Sequence, residues 1–254
     1  MDRSRNLFVF AGVLLLGAGL DTFTLFAAPV RQVEFPSEDK LKVTADLYFD
    51  GQTERPFVLL FHQARSSRGE YGEIAPLLQA RSINSMAVDL RSGRSARGVR
   101  NETAARAAAA SMATGYLHAE PDMRASVRYV RSLGVSRILL WGSSYSASLA
   151  IKLAGEANLP LAVAGVIAFS PGEYFGRRNF IGKYAGQVRT PAFVTCAKSE
   201  VTRVRPFYER IAYPRKTFFV PRGAGAHGSR ALWSKSPDHA EYRAALFAFL
   251  DSFR

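Results

Sequence analysis

Arg137-Ile-Leu-Leu-Trp141 runs into Gly142-Ser-Ser-Tyr-Ser146 and then into Ala147-Ser-Leu-Ala-Ile-Lys-Leu-Ala154. The first five residues form a short apolar run, as expected of a strand covered on both faces. The last eight are small or apolar helix formers. The pentapeptide between them approximates a Gly-x-Ser-x-Gly elbow. In that turn a strand passes into a helix so sharply that the central side chain, here Ser144, projects beyond the sheet's carboxyl end. The positions two before and two after must be small to avoid the neighbouring strand and helix, and here they are Gly142 and Ser146. The competing reading is an ordinary turn with Ser143 or Ser144 capping a helix.

Working outward, the same strand and helix rhythm fills the chain. Arg31–Phe35 and Lys42–Tyr48 alternate apolar and polar residues with period two, as half-buried strands do. Asp50-Gly51 marks a turn. Phe57–Phe61, Ser85–Val88, Gly165–Phe169, Ala192–Thr195 and Thr217–Val220 repeat the buried-strand pattern. Apolar residues fall at helical spacing over Tyr71–Ile83, over Pro121–Leu133 (Met123, Val127, Val130) and over Glu241–Phe253. Pro121 suits a first turn and Gly134 a stop. The pattern predicts an α/β domain over residues 29–254, built on a mostly parallel eight-stranded sheet with helices on both faces. The segment Arg91–Glu120, with alanines at 104–110, is long for a connector, and such insertions often cover sites.

Residues 1–28 read differently. Arg3 and Arg5 precede the uninterrupted apolar run Leu7–Leu20, and small residues follow at Ala27-Ala28. This is the layout of a secretory signal peptide, with an uncleaved membrane anchor as the alternative. The expected location is therefore periplasmic or secreted, or anchored in the inner membrane through residues 7–28 with the domain outside.

Composition narrows the function classes. The chain has 254 residues, 48% hydrophobic and 22% charged, which excludes disorder and fibrous repeats as descriptions of the whole. A single cysteine excludes an intrachain disulfide and multi-cysteine metal sites. The four histidines are too scattered for the usual zinc spacings, so no metal and no cofactor is expected. The net charge of +13 suggests anionic partners. Its arginines are spread evenly, as at Arg91, Arg94, Arg97, Arg100 and Arg106, and no nucleic-acid motif accompanies them. No nucleic-acid role is expected.

A serine hydroxyl is a weak nucleophile and needs a base, itself oriented by an acid. After an elbow of this kind the chain order is serine, acid, histidine. His227, in Gly223-Ala-Gly-Ala-His-Gly228 just after the last strand, suits the base. Glu200, the first carboxylate after Ala192–Thr195, suits the acid, with Glu173 as the fallback. An oxyanion would be held by the backbone N–H of Tyr145 and by a second N–H, assigned to Gln63, in the loop after Phe57–Phe61. His62 reads as a loop-stabilising residue and Cys196 as a buried small residue at a strand end.

On Leu59-Leu-Phe-His-Gln63, Ala87-Val-Asp-Leu-Arg-Ser-Gly93, Gly142–Ser146 and Ala224-Gly-Ala-His-Gly228, the sequence resembles the α/β-hydrolase superfamily across Val30–Arg254, and most closely its dienelactone-hydrolase-like members. Dienelactone hydrolases use a cysteine nucleophile where this chain has serine. The resemblance implies an α/β-hydrolase fold and a serine hydrolase, which the N-terminal segment makes an exported one. Its expected substrate is a small carboxylic ester, thioester or lactone, cleaved through an acyl-enzyme. A peptidase or amidase on the same triad, or a catalytically silent binding protein, are the alternatives.

Overall fold

The computed structural model describes residues 29–156 and 163–254. The expected signal or anchor segment, 1–28, lies outside the described residues. Among the described residues no helix is long and apolar enough to cross a membrane.

Eight strands form one sheet: β1 (Arg31–Pro36), β2 (Lys42–Tyr48), β3 (Phe57–Phe61), β4 (Asn84–Val88), β5 (Ile138–Ser143), β6 (Gly165–Phe169), β7 (Ala192–Thr195) and β8 (Lys216–Phe219). Their spatial order is β1-β2-β4-β3-β5-β6-β7-β8. The alternating β2 is antiparallel to both β1 and β4, and all other pairings are parallel. Seven α-helices accompany the described strands: α1 (Ile74–Gln79), α2 (Glu102–Ala109), α3 (Glu120–Ser132), α4 (Tyr145–Gly155), α5 (Phe180–Ala185), α6 (Val201–Arg210) and α7 (His239–Asp251).

The buried strands divide their side chains between two cores. Phe57, Leu59, Phe61, Ile138 and Leu140 join residues of α3, α4, α5 and α6 on one face. Val58, Leu60, Leu139 and Trp141 join residues of α1 and α7 on the other. This is why β3 and β5 show unbroken apolar runs: period-two alternation sends consecutive side chains to opposite faces, and both are covered. Each buried Leu, Val or Ile contributes about 1.5–3 kcal/mol.

The helical pattern over Tyr71–Ile83 contracts. A 3-10 turn at Arg68–Tyr71 and the six-residue α1 share it, and the chain turns between them at Gly72 and Glu73. Helices α5 and α6 carry no strong sequence signal. The first is six residues long, and the second contains Pro206 and an Arg-rich exposed face.

The Arg91–Glu120 segment is fastened rather than loose. Arg91 is 3% exposed and pairs with the buried Asp122 (2.7 Å) and with Asp39. Asn101 caps α2 by accepting the Ala104 N–H. Its amide nitrogen donates to the carbonyls of Ser66 and Leu90. Thr103 Oγ1 accepts the Thr44 N–H at 2.9 Å, joining α2 to β2.

Candidate active site

At the end of β5 the backbone turns through Ser144 with φ 59° and ψ −120°, a conformation that disfavours any residue with a Cβ. Three contacts hold it there. The Ser144 N–H donates to the Phe169 carbonyl at 2.8 Å. The Ser146 hydroxyl accepts the Ser143 N–H at 2.8 Å. Its single proton lies within reach of the carbonyls of Phe61 (2.8 Å) and Ser143 (2.9 Å). Ser146 thus uses its place as the elbow's second small residue to tie the turn to β3. Gly142 has no such freedom, since a Cβ there would sit 2.3 Å from the Ala147 nitrogen.

Two more candidate residues meet across the carboxyl ends of β7 and β8. His227 Nδ1 lies 2.5 Å from Glu200 Oε1. Glu200 Oε2 accepts the Ser170 hydroxyl at 2.6 Å and the Ala197 N–H at 3.1 Å. Burial alone would raise the Glu200 pKa, but hydrogen bonds from His227 and Ser170, with the charge on His227, bring it down to about 2. The fallback acid, Glu173, is elsewhere: its oxygens accept the Ile181 and Gly182 amides at 2.9 Å each, so it braces α5 and not His227.

The loop carrying His227 is stitched to the elbow. The Gly228 N–H donates to Ser170 Oγ at 3.0 Å. The Ser229 N–H donates to Ser143 Oγ at 2.8 Å. Trp141 Nε1 donates to Ser229 Oγ at 2.9 Å. Gly228 has φ +69°, and a Cβ there would come 2.6 Å from Ser143 Oγ, so this position needs glycine both for conformation and for space.

The oxyanion expectation needs one correction. The Tyr145 N–H begins α4, among the first amides that have no partner within a helix. The Gln63 N–H, by contrast, donates to Glu70 Oε2 at 2.8 Å. The 3-10 turn at Arg68–Tyr71 folds this buried carboxyl back under the loop, where it needs donors more than an incoming ligand does. Burial pushes the Glu70 pKa up, and the Ser143 hydroxyl and Gln63 amide offset that only in part. Sequence reasoning missed Glu70, Ser170 and Ser229. The Ser67 side chain capping the 3-10 turn was the available hint for the first, and a polar residue directly after the apolar β6 for the second.

His62 is fully buried and stabilises its loop as expected. Its Nδ1 donates to the Gln63 carbonyl at 2.8 Å, and its Nε2 accepts the Leu90 N–H at 2.9 Å. Burial pushes its pKa down to about 4. Cys196 is also buried, and burial with the nearby Glu200 charge pushes its thiol up to about 12, far from a thiolate nucleophile.

Two exposed tyrosines flank the elbow. Tyr116 stacks on Tyr145 with ring centroids 4.6 Å apart. Tyr174 donates its hydroxyl to the Ser170 carbonyl at 3.0 Å. Beside it opens a cleft of about 430 Å³ bordered by Tyr174, Glu200, Arg203 and Phe207.

The sequence matches no family model and no curated protein. Its structure is similar to several solved ones. An esterase of Pyrococcus furiosus aligns at TM-score 0.67 and 19% identity, over 90% of this chain and 93% of that one. Dienelactone hydrolase from Anabaena variabilis aligns at TM-score 0.67 and 14% identity, over 88% and 97%. The acylaminoacyl peptidase of Pyrococcus horikoshii aligns at TM-score 0.61 and 17% identity, over 89% of this chain and 41% of that one. At these identities the likeness is one of architecture: the chain has the α/β-hydrolase fold.

Proposed function

We propose that the protein is a serine hydrolase that cleaves a carboxylic ester, or a related thioester or lactone, through an acyl-enzyme. The observation that carries this reading is the 2.5 Å contact between His227 Nδ1 and Glu200 Oε1, made at the same sheet edge as the Ser144 elbow. With the Nδ1 proton directed at Glu200, Nε2 is left as the basic nitrogen. Ser144 Oγ attacks the substrate carbonyl while its proton passes to His227 Nε2. Glu200 stays ionised and stabilises the imidazolium. The tetrahedral oxyanion is received by the Tyr145 N–H and, in place of Gln63, by the next loop amide, Ala64, which has no acceptor among the described hydrogen bonds. His227 returns the proton to the leaving alkoxide. Water, deprotonated by the same histidine, then releases the acid and restores Ser144.

The similar solved structures include, by their names, an esterase, a dienelactone hydrolase and an acylaminoacyl peptidase, which fits this chemistry without choosing among substrates. Labelling with a fluorophosphonate, followed by mass spectrometry of the adduct, tests the reading. An adduct on Ser144 that is absent from Ser144→Ala supports it. A protein that never labels is a silent member of the fold, and the proposal fails.

We also propose export through residues 1–28. An alkaline phosphatase fused after residue 40 should be active, and an inactive fusion overturns the idea.

A further inference from the structure

Glu70 is a fully buried carboxyl that the proposed chemistry does not use. Burying such a group is costly unless its oxygens are paired. One of them is: Oε2 accepts the Gln63 N–H at 2.8 Å. The other, Oε1, is buried and has no hydrogen-bond partner among the described residues. The backbone that carries the carboxyl is pinned on both sides. The Glu70 N–H donates to the Ser67 carbonyl at 3.0 Å, and the Glu70 carbonyl accepts Trp233 Nε1 at 2.9 Å. A half-paired acid on a fixed backbone is a poor stabiliser, and what it does hold firmly is one amide.

That amide adjoins the donor assigned to the oxyanion. A residue's N–H lies in the peptide plane before it and its C=O in the plane after it, and each plane is rigid. Glu70 therefore fixes the plane that precedes Gln63. His62 fixes the one that follows, since its Nδ1 meets the Gln63 carbonyl at 2.8 Å. The partners of the ring set the direction of that bond. His62 Nε2 faces the Leu90 N–H at 2.9 Å and the Asn101 amide nitrogen at 3.1 Å, both of which only donate. The proton of the neutral ring is thus on Nδ1. The Ala64 N–H shares its plane with the Gln63 carbonyl and, across a trans peptide, points the opposite way. With both planes gripped, the aim of the Ala64 N–H is set.

We propose that Glu70 is a positioning residue for the oxyanion: it holds the Gln63 amide so that, together with His62, the Ala64 N–H is aimed before substrate arrives. The inference rests on the hydrolase reading above and adds a residue to its machinery. Donors fixed in advance stabilise a developing charge without reorganising at the moment of reaction.

The test sets a trifluoromethyl ketone beside an ester substrate. Ser144 Oγ adds to the ketone carbon, its proton passes to His227 Nε2, and the carbonyl oxygen becomes an oxyanion with no leaving group to depart. Glu70→Leu keeps the bulk and removes the acceptor. It should lower kcat for p-nitrophenyl acetate by about 10- to 100-fold, short of the loss of a whole oxyanion donor, with KM little changed. The inhibition constant of the ketone should rise by the same factor as kcat/KM falls. Glu70→Gln should recover most of both losses, because its amide oxygen can accept the Gln63 N–H and no partner at the other position opposes that orientation. Should Glu70→Leu not fold, Glu70→Asp, which draws the carboxylate back by one methylene, carries the same expectation. Unchanged ketone affinity in the Leu or Asp variant overturns the inference. So does an equal loss in Glu70→Gln, which assigns the effect to charge and not to the hydrogen bond. A wild type that neither cleaves esters nor binds the ketone overturns the hydrolase reading and this inference with it; an active wild type leaves the variants to decide the inference alone.

Discussion

Ser170 Oγ donates to Glu200 Oε2 at 2.6 Å and, on its other side, accepts the Gly228 N–H. One hydroxyl thus fixes both the acid and the loop that carries the histidine. Ser170 also holds φ 54°, so alanine and glycine replacements separate two effects. Ser170→Ala should lower kcat by about 10- to 100-fold, the equivalent of one hydrogen bond to a charged group. Ser170→Gly relieves the backbone but should lose as much, if the hydroxyl is what matters. Losing a donor to the ionised form should also move the acid limb of the kcat/KM profile to higher pH. An unchanged profile in both variants would reduce Ser170 to a packing residue.

Glu200 gives a prediction with a definite sign. Its folded pKa, about 2, lies below the ordinary 4.5. The stability it contributes is therefore present above about pH 4.5 and is lost as the pH falls toward 2. Glu200→Gln should be less stable than wild type by a few kcal/mol at neutral pH, and the gap should close over that window. Its kcat should fall by about 10⁴-fold, the loss known when a triad acid becomes an amide. Urea titrations across the acid range, paired with neutral-pH kinetics, check both halves.

Ser143 and Ser144 are neighbours with different work. Ser144→Ala should abolish labelling and turnover at little cost in Tm. Ser143→Ala removes the acceptor of the buried Ser229 N–H, so it should lose about 1–3 kcal/mol of stability while still labelling on Ser144. Differential scanning calorimetry beside probe labelling distinguishes the two, and an adduct found on Ser143 would contradict the elbow geometry.

Arg91→Leu should cost about 3–5 kcal/mol, because Asp122 would be left charged and uncompensated in the core. Replacing both residues by leucine should recover part of that loss. If the double variant is no better than the single one, the pair matters for more than mutual neutralisation.

Much of this architecture was legible in the sequence because it is local. The turn at Ser144 follows from small residues between an apolar strand and a helix former. His227 stood out between glycines, and Glu200 was simply the first carboxylate past β7. What escaped was what depends on the chain folding back. Gln63 looked free to offer its N–H, yet Glu70 takes it; Ser67 hints at a turn there, but nothing in the stretch 63–70 shows that the turn brings the Glu70 carboxyl back onto Gln63. Ser170 owes its role to Glu200 and Gly228, which lie far along the chain. Arg91 read as one of several scattered arginines, although it is the buried centre of an ion network. Charge counting cannot tell a solvated guanidinium from a buried one.

The order of the sheet also bears on how the chain is made. Strands β5, β6, β7 and β8 lie side by side in the order of synthesis, so each can dock on the one before it as it leaves the ribosome. Strand β3 is different: it pairs with β4 on one side and with β5 on the other, and β5 emerges some eighty residues after it, judged from Phe57 pairing with Ile138. One edge of this apolar strand, a row of N–H and C=O groups, must therefore wait unpaired through the synthesis of everything between, which exposes it to wrong partners. Pulse-labelled hydrogen exchange during refolding should show β3 amides facing β5 gaining protection together with β5, and later than a strand of this hydrophobicity would on its own. A strand buried along its whole length is thus the one whose second edge the topology leaves longest unpaired.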